Sequence, residues 1–120
     1  MDEKLTFDEK FSALNSYFKI NSYSEVYDFI KNNESIFFLI DEIKPFLEKY
    51  FSNCEYCLDI IHDPEIMDFN YLELMINVSR ERFYNGVQED IEIIRSQIRP
   101  FRRKFNIFLE FAISYGVKYV

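Results

Sequence analysis

The sequence predicts an α+β fold in a single domain over residues 1–120: three N-terminal helices, then a β-hairpin, a crossover helix and a third strand, forming a three-stranded mixed sheet covered by helices on one face. Three observations predict it. Apolar residues recur at spacings of three and four through Tyr50, the period switches to two after Asn53, and a second helical stripe separates the later alternating runs.

Phe7, Phe11, Leu14 and Phe18 define the first amphipathic helix, with Asp8, Glu9 and Lys10 turned away. Ser22 followed by Glu25 has the spacing of a capping box, opening a short helix through Val26, Phe29 and Ile30 that ends near Asn32-Asn33. Ser35 is placed to cap a third, central helix from Ile36 to Tyr50, with a kink or break near Ile43 because Pro45 removes a backbone donor and clashes with the preceding turn.

Tyr56, Leu58 and Ile60 alternate with Cys57, Asp59 and Ile61 in a first strand. Residues 63–69 form a loop, and a second strand sets Leu72, Leu74, Ile76 and Val78 against Tyr71, Glu73, Met75 and Asn77. Ser79 can cap the next helix, whose stripe is Phe83, Val87, Ile91, Ile94 and Ile98; Asn85-Gly86 weakens its first turns and Pro100 should end it by Arg99. A third strand then has Ile107, Leu109, Phe111 and Ile113 alternating with Phe108, Glu110 and Ala112. The intervening helix makes the second and third strands parallel, and the first strand is expected between them, antiparallel to both.

This order of elements, with Asp63-Pro64-Glu65 after an apolar strand, a second strand closing at Asn77, and Leu109-Glu110-Phe111 in a late strand, resembles an uncharacterised family of small prokaryotic α+β proteins over about residues 22–113. The resemblance implies the fold and carries no activity.

Composition bounds the function. With 48% hydrophobic and 19% aromatic residues, and only two glycines, the chain should fold compactly and leave aromatic surface for a partner. A net charge of −7 disfavours nucleic acid. Residues 1–75 carry 6 basic and 16 acidic side chains, residues 76–120 carry 8 and 5. The positive excess sits in Arg95, Arg99, Arg102, Arg103 and Lys104, either an anion site or the basic end of a helix complementing its dipole. Met1-Asp2-Glu3-Lys4 leads into no apolar run and no stretch is apolar enough to cross a bilayer, so a cytoplasmic protein with no membrane association is expected.

No catalytic or cofactor signature is complete. Gly86 and Gly116 are the only glycines, which excludes a phosphate-binding loop, a dinucleotide fingerprint and a nucleophile elbow. Cys54 and Cys57 have CxxC spacing with His62 nearby, but no second ligand pair exists, so they are expected to be unconnected thiols without zinc. Asp59, Glu73 and Glu110 fall on the sheet face opposite the core, where converging carboxylates can hold Mg²⁺ for phosphoryl-transfer or nuclease-like chemistry. Ile61, Tyr71, Met75 and Phe108 share that face, and a terminal segment such as residues 114–120 is one way to cover it.

The leading expectation is a noncatalytic accessory or inhibitory protein that binds an unidentified protein through Asp59, Ile61, Tyr71, Glu73, Met75, Phe108 and Glu110, with no cofactor. The metal-dependent enzyme comes second, and weak nucleic-acid binding through Arg95, Arg99, Arg102, Arg103 and Lys104 third. A two-fold homodimer, formed through a strand edge or the mixed outer face, is also expected.

Overall fold

The computed structural model describes residues 5–66 and 68–118 and shows an α+β fold with five helices and four strands. In chain order they are α1 (Phe7–Tyr17), β1 (Lys19–Ile20), α2 (Tyr23–Lys31), α3 (Ser35–Tyr50), β2 (Glu55–His62), β3 (Asn70–Val78), α4 (Arg80–Phe83), α5 (Val87–Phe105) and β4 (Phe111–Val117). Residues 1–4 and 119–120, on which the expectations about a leader and a covering C-terminus partly fell, lie outside the described residues.

Local chemistry explains most helix ends. Thr6 and Glu9 close a capping box at α1: Thr6 Oγ1 accepts from the Glu9 N–H at 3.1 Å and Glu9 Oε1 accepts from the Thr6 N–H at 2.9 Å. The box expected at Ser22 does not form, because Ser22 adopts a left-handed conformation (φ 50°) and Glu25 reaches His62 instead. Ser35 is the first residue of α3 rather than its cap; Glu34 occupies that position with no side-chain cap bond. Ser79 does cap α4, accepting from the Arg82 N–H at 3.2 Å, and the Asn85-Gly86 break separates α4 from α5, with Gly86 at φ 79°.

Neither internal proline ends its helix. α3 runs unbroken through Pro45, and α5 runs six residues past the expected stop, through Pro100, to a left-handed cap at Asn106. Both prolines are exposed, so the carbonyls they orphan lie on the solvent side, while Ile43 and Leu47 in α3 and Ile94 and Ile98 in α5 continue the buried stripe. Packing of that stripe outweighs the local penalty. Arg102, Arg103 and Lys104 in the last turn of α5 also suit its negative end.

The longer α5 shifts everything behind it. Residues 106–110 become the connection and β4 begins at Phe111, so Phe111 and Ile113 are buried as expected but Leu109 is 75% exposed and outside the strand. Phe108 and Glu110 leave the sheet face for the same reason.

The sheet has four strands in the order β1-β2-β3-β4, not three. β2 and β3 form the antiparallel hairpin, with Glu55 opposite Asn77 and His62 opposite Asn70. β3 and β4 are parallel, as the crossover requires, but β3 rather than β2 is the central partner. The outer edge of β2 is taken by β1, paired parallel through Lys19–Cys57 and Ile20–Leu58, which leaves β4 only the free side of β3.

The inward rows Leu58 and Ile60, Leu72 to Val78, and Phe111 and Ile113 join Phe11, Leu14, Ile30, Ile36, Leu39, Ile43, Ile91 and Ile98 in one apolar cluster. The helices therefore cover a single face. Ile61, Tyr71, Met75 and Cys57, which alternate with the inward row, take no part in that cluster.

Candidate functional site

On the open face the register fixes which side chains meet. Asp59 stands directly opposite Glu73, Ile61 opposite Tyr71, and Cys57 opposite Met75, while Ala112 and Ser114 of β4 flank Glu73 and Met75. An acidic pair thus lies between two apolar pairs. Asp59 Oδ1 accepts from the Ile60 N–H at 2.8 Å, and no described cation pairs with Asp59 or Glu73. Glu55 adds a third acid one row further, near Asn77, and Lys19 is the base this face receives from β1.

Of the seven partner-binding residues expected from sequence, Asp59, Ile61, Tyr71, Glu73 and Met75 share this face. Phe108 and Glu110 do not: both lie ahead of β4, where Glu110 Oε1 accepts from the Phe108 N–H at 2.8 Å and steadies the turn. Glu110 therefore does not join the other two carboxylates, and among the described residues no group of three or more His, Cys, Asp or Glu is placed to hold a metal ion. Residues 114–117 are β4 itself and provide no cover for the face.

The basic stretch divides. Arg95, Arg99, Arg102 and Arg103 lie along one flank of α5, and Lys104 falls on the other. Arg95 Nη2 donates to the Ile113 carbonyl at 2.7 Å and Nη1 to Glu92 at 2.9 Å; Arg102 donates to the Phe108 carbonyl at 2.9 Å and lies 5.5 Å over the Phe111 ring. Burial and the neighbouring Arg95 charge depress the Arg102 pKa, partly offset by Glu110. Both inner arginines thus tie α5 to β4. Arg99 and Arg103 are exposed and have no carboxylate partner among the described residues.

The thiols stay unconnected. Cys54 is half-buried and Cys57 buried, both are free, and burial pushes both thiols up, which disfavours the reactive thiolate. His62 closes β2 at the surface, with Nε2 3.0 Å from Glu25 and Nδ1 2.7 Å from Asn70, so its partners come from α2 and β3.

Sequence reasoning missed Arg82. Its guanidinium donates to the Tyr50 carbonyl at 3.1 Å and the Asn85 carbonyl at 2.8 Å, pairs with Asp90, and lies 4.9 Å over the Phe51 ring. One side chain joins the end of α3, the Asn85-Gly86 turn and the start of α5. No periodic signal marks such a residue, because its partners come from three elements.

No protein-family model, curated protein or solved structure matches this chain. The likeness to a small α+β family rests on the quoted residues alone.

Proposed function

We propose that the chain is a noncatalytic protein-interaction module that receives a cationic partner surface on its open sheet face. The carrying observation is the directly opposed Asp59–Glu73 pair, set between Ile61–Tyr71 and Cys57–Met75. Like charges facing each other across strands are unfavourable, so the pair suits a surface neutralised by something basic. Tyr, Met and Ile on either side supply apolar burial for such a contact.

Titration of isotope-labelled protein with a peptide alternating lysine and leucine tests this. Amide resonances of residues 57–61 and 71–75 should move, the glutamate counterpart should leave them still, and D59N/E73Q should weaken the response about tenfold, the order expected for losing two desolvated charge contacts. Unmoved resonances on that face with either peptide would remove the reading.

A further inference from the structure

We propose that the free edge of β4 accepts an extended acidic segment of a partner protein as an added fifth strand. The surface is distinct from the open face and of opposite charge.

The ladder shows which backbone groups are unused. The Leu72 N–H donates to Glu110 O at 2.9 Å and the Lys118 N–H to Val78 O at 2.7 Å, so the even-numbered residues from 110 to 118 bond to β3. Phe111, Ile113, Tyr115 and Val117 consequently turn their N–H and C=O groups outward. The chain itself uses two of these: the Phe111 N–H points to Phe108 O at 3.5 Å, and the Ile113 carbonyl accepts from Arg95. The Ile113 N–H and the outward groups of Tyr115 and Val117 make no hydrogen bond among the described residues.

Natural edges are usually blunted by proline, by charge or by extreme shortness. β4 reads Phe-Ala-Ile-Ser-Tyr-Gly-Val, seven residues with no proline and no charge of its own, and Arg95 reaches only the Ile113 carbonyl. At about 3.3 Å per residue it offers a template of about 20 Å. The two most exposed large apolar side chains of the described molecule bracket it. Leu109, 75% exposed, precedes the strand; Tyr84, 76% exposed, lines a shallow cavity together with Tyr115 near its far end.

The occupant's charge follows from α5. Arg95 and Arg102 reach β4 and its lead-in, which places their helix flank beside the edge; Arg99 and Arg103 lie on that same flank with their guanidinium groups exposed and unpaired by any described carboxylate. Side chains on the helix side of an added strand would meet this row, so carboxylates at alternate positions fit it. A second copy fits worse: antiparallel pairing of two β4 edges about a two-fold axis would bring the two arginine flanks together.

The test uses a fluorescein-labelled hexapeptide alternating glutamate and valine, its lysine counterpart, and the full chain. The glutamate peptide should bind with an affinity that falls as salt rises, and should slow exchange of the Ile113, Tyr115 and Val117 amides while leaving residues 57–61 unchanged. R99Q/R103Q, which removes two exposed charges used by no described ion pair, should weaken binding at least tenfold, with the melting temperature lowered only by the small loss of a cation at the negative end of α5. Equal binding by that variant, preference for the lysine peptide, or protection elsewhere would overturn the proposal. So would a dimer in sedimentation that protects the same three amides without peptide, since it would assign the edge to a second copy. Because the peptide charges, variants and amides differ from those of the open face, either reading can fail alone.

Discussion

The two faces of the sheet are built from the same backbones and obey opposite rules. On the helical face Leu58, Leu72, Leu74 and Ile76 are fully buried beneath α1, α2, α3 and α5. One residue along each strand, Asp59 faces Glu73 and Tyr71 faces Ile61 with no helix of the described residues above them. Stability is concentrated where water is excluded, so the covered face tolerates little change, whereas the open face carries an arrangement that folding alone does not favour. A residue's parity within its strand therefore decides whether substitution acts on folding or on recognition.

The sharpest way to break that contrast is to cut the covered face. Leu74→Ala, in the central strand and wholly buried, should cost about 3 kcal/mol, and lower the melting temperature by about 12 °C in a domain of this size. Met75→Ala, the next residue on the open face, should cost less than half as much. Chemical denaturation of both variants checks the ratio, and equal losses would show that something covers the outer face.

Arg82→Ala comes next, at about 2 kcal/mol, because it leaves Asp90 without its partner and two carbonyls without a donor. Arg82→Lys should recover less than half, since an ammonium cannot serve three acceptors in the geometry of the guanidinium fork. The effect belongs to the helical layer alone, so peptide binding at the open face should survive in the lysine variant.

The same parity explains what could be read from the sequence. Strands 55–62 and 70–78 announce themselves because one phase is apolar and buried while the other, Cys57 apart, is only partly so, and Asp59, Tyr71, Glu73 and Met75 fall on the correct face as a result. In the segment from Ile107 to Ile113 the phase of Phe111 and Ile113 reads correctly but the start does not: a helix stopped at Pro100 sets the strand four residues early and puts Leu109 and Glu110 on faces they do not occupy. β1 has two residues and therefore no period. Strand order depends on which edges β1 and β4 occupy, a tertiary outcome that local patterning does not encode. Arg82 was illegible because its partners span residues 50–90.

Alkaline pH tests the buried phenols and thiols in a different way. Burial raises the Tyr17 phenol, aided by its hydrogen bond to Glu48, and burial also raises Tyr56, whose hydroxyl donates to the Phe51 carbonyl at 2.8 Å. The ordinary phenol value is 10.0 and the ordinary thiol value 9.0, and both Cys54 and Cys57 are raised as well. The folded state holds these groups neutral, so their contribution is fully present below the unfolded values and is lost as pH rises, once the unfolded chain releases protons that the folded chain keeps. Urea midpoints should be level from pH 7 to 8, decline from about pH 9 and fall more steeply past pH 10. Tyr17→Phe should flatten the steeper part.

The smallest effect has the opposite sign, and it tests the open face directly. Asp59 and Glu73 are directly opposite in the register, and no described cation neutralises either. Asp59→Asn removes that repulsion while its carbonyl oxygen can still accept from the Ile60 N–H, which makes asparagine a better probe than alanine. The variant should be more stable by about 0.5 kcal/mol at low ionic strength, with the gain shrinking as salt screens the wild-type pair. Glu73→Gln should give a similar gain, and the double variant less than the sum, because the first substitution has already relieved the contact that the second addresses. The same change should weaken capture of the lysine–leucine peptide. Stability and binding would then move in opposite directions at one residue, as expected of a charge retained for a partner rather than for the fold. Loss of stability on Asp59→Asn would instead give the carboxylate a structural role and leave the open face without its main argument for recognition.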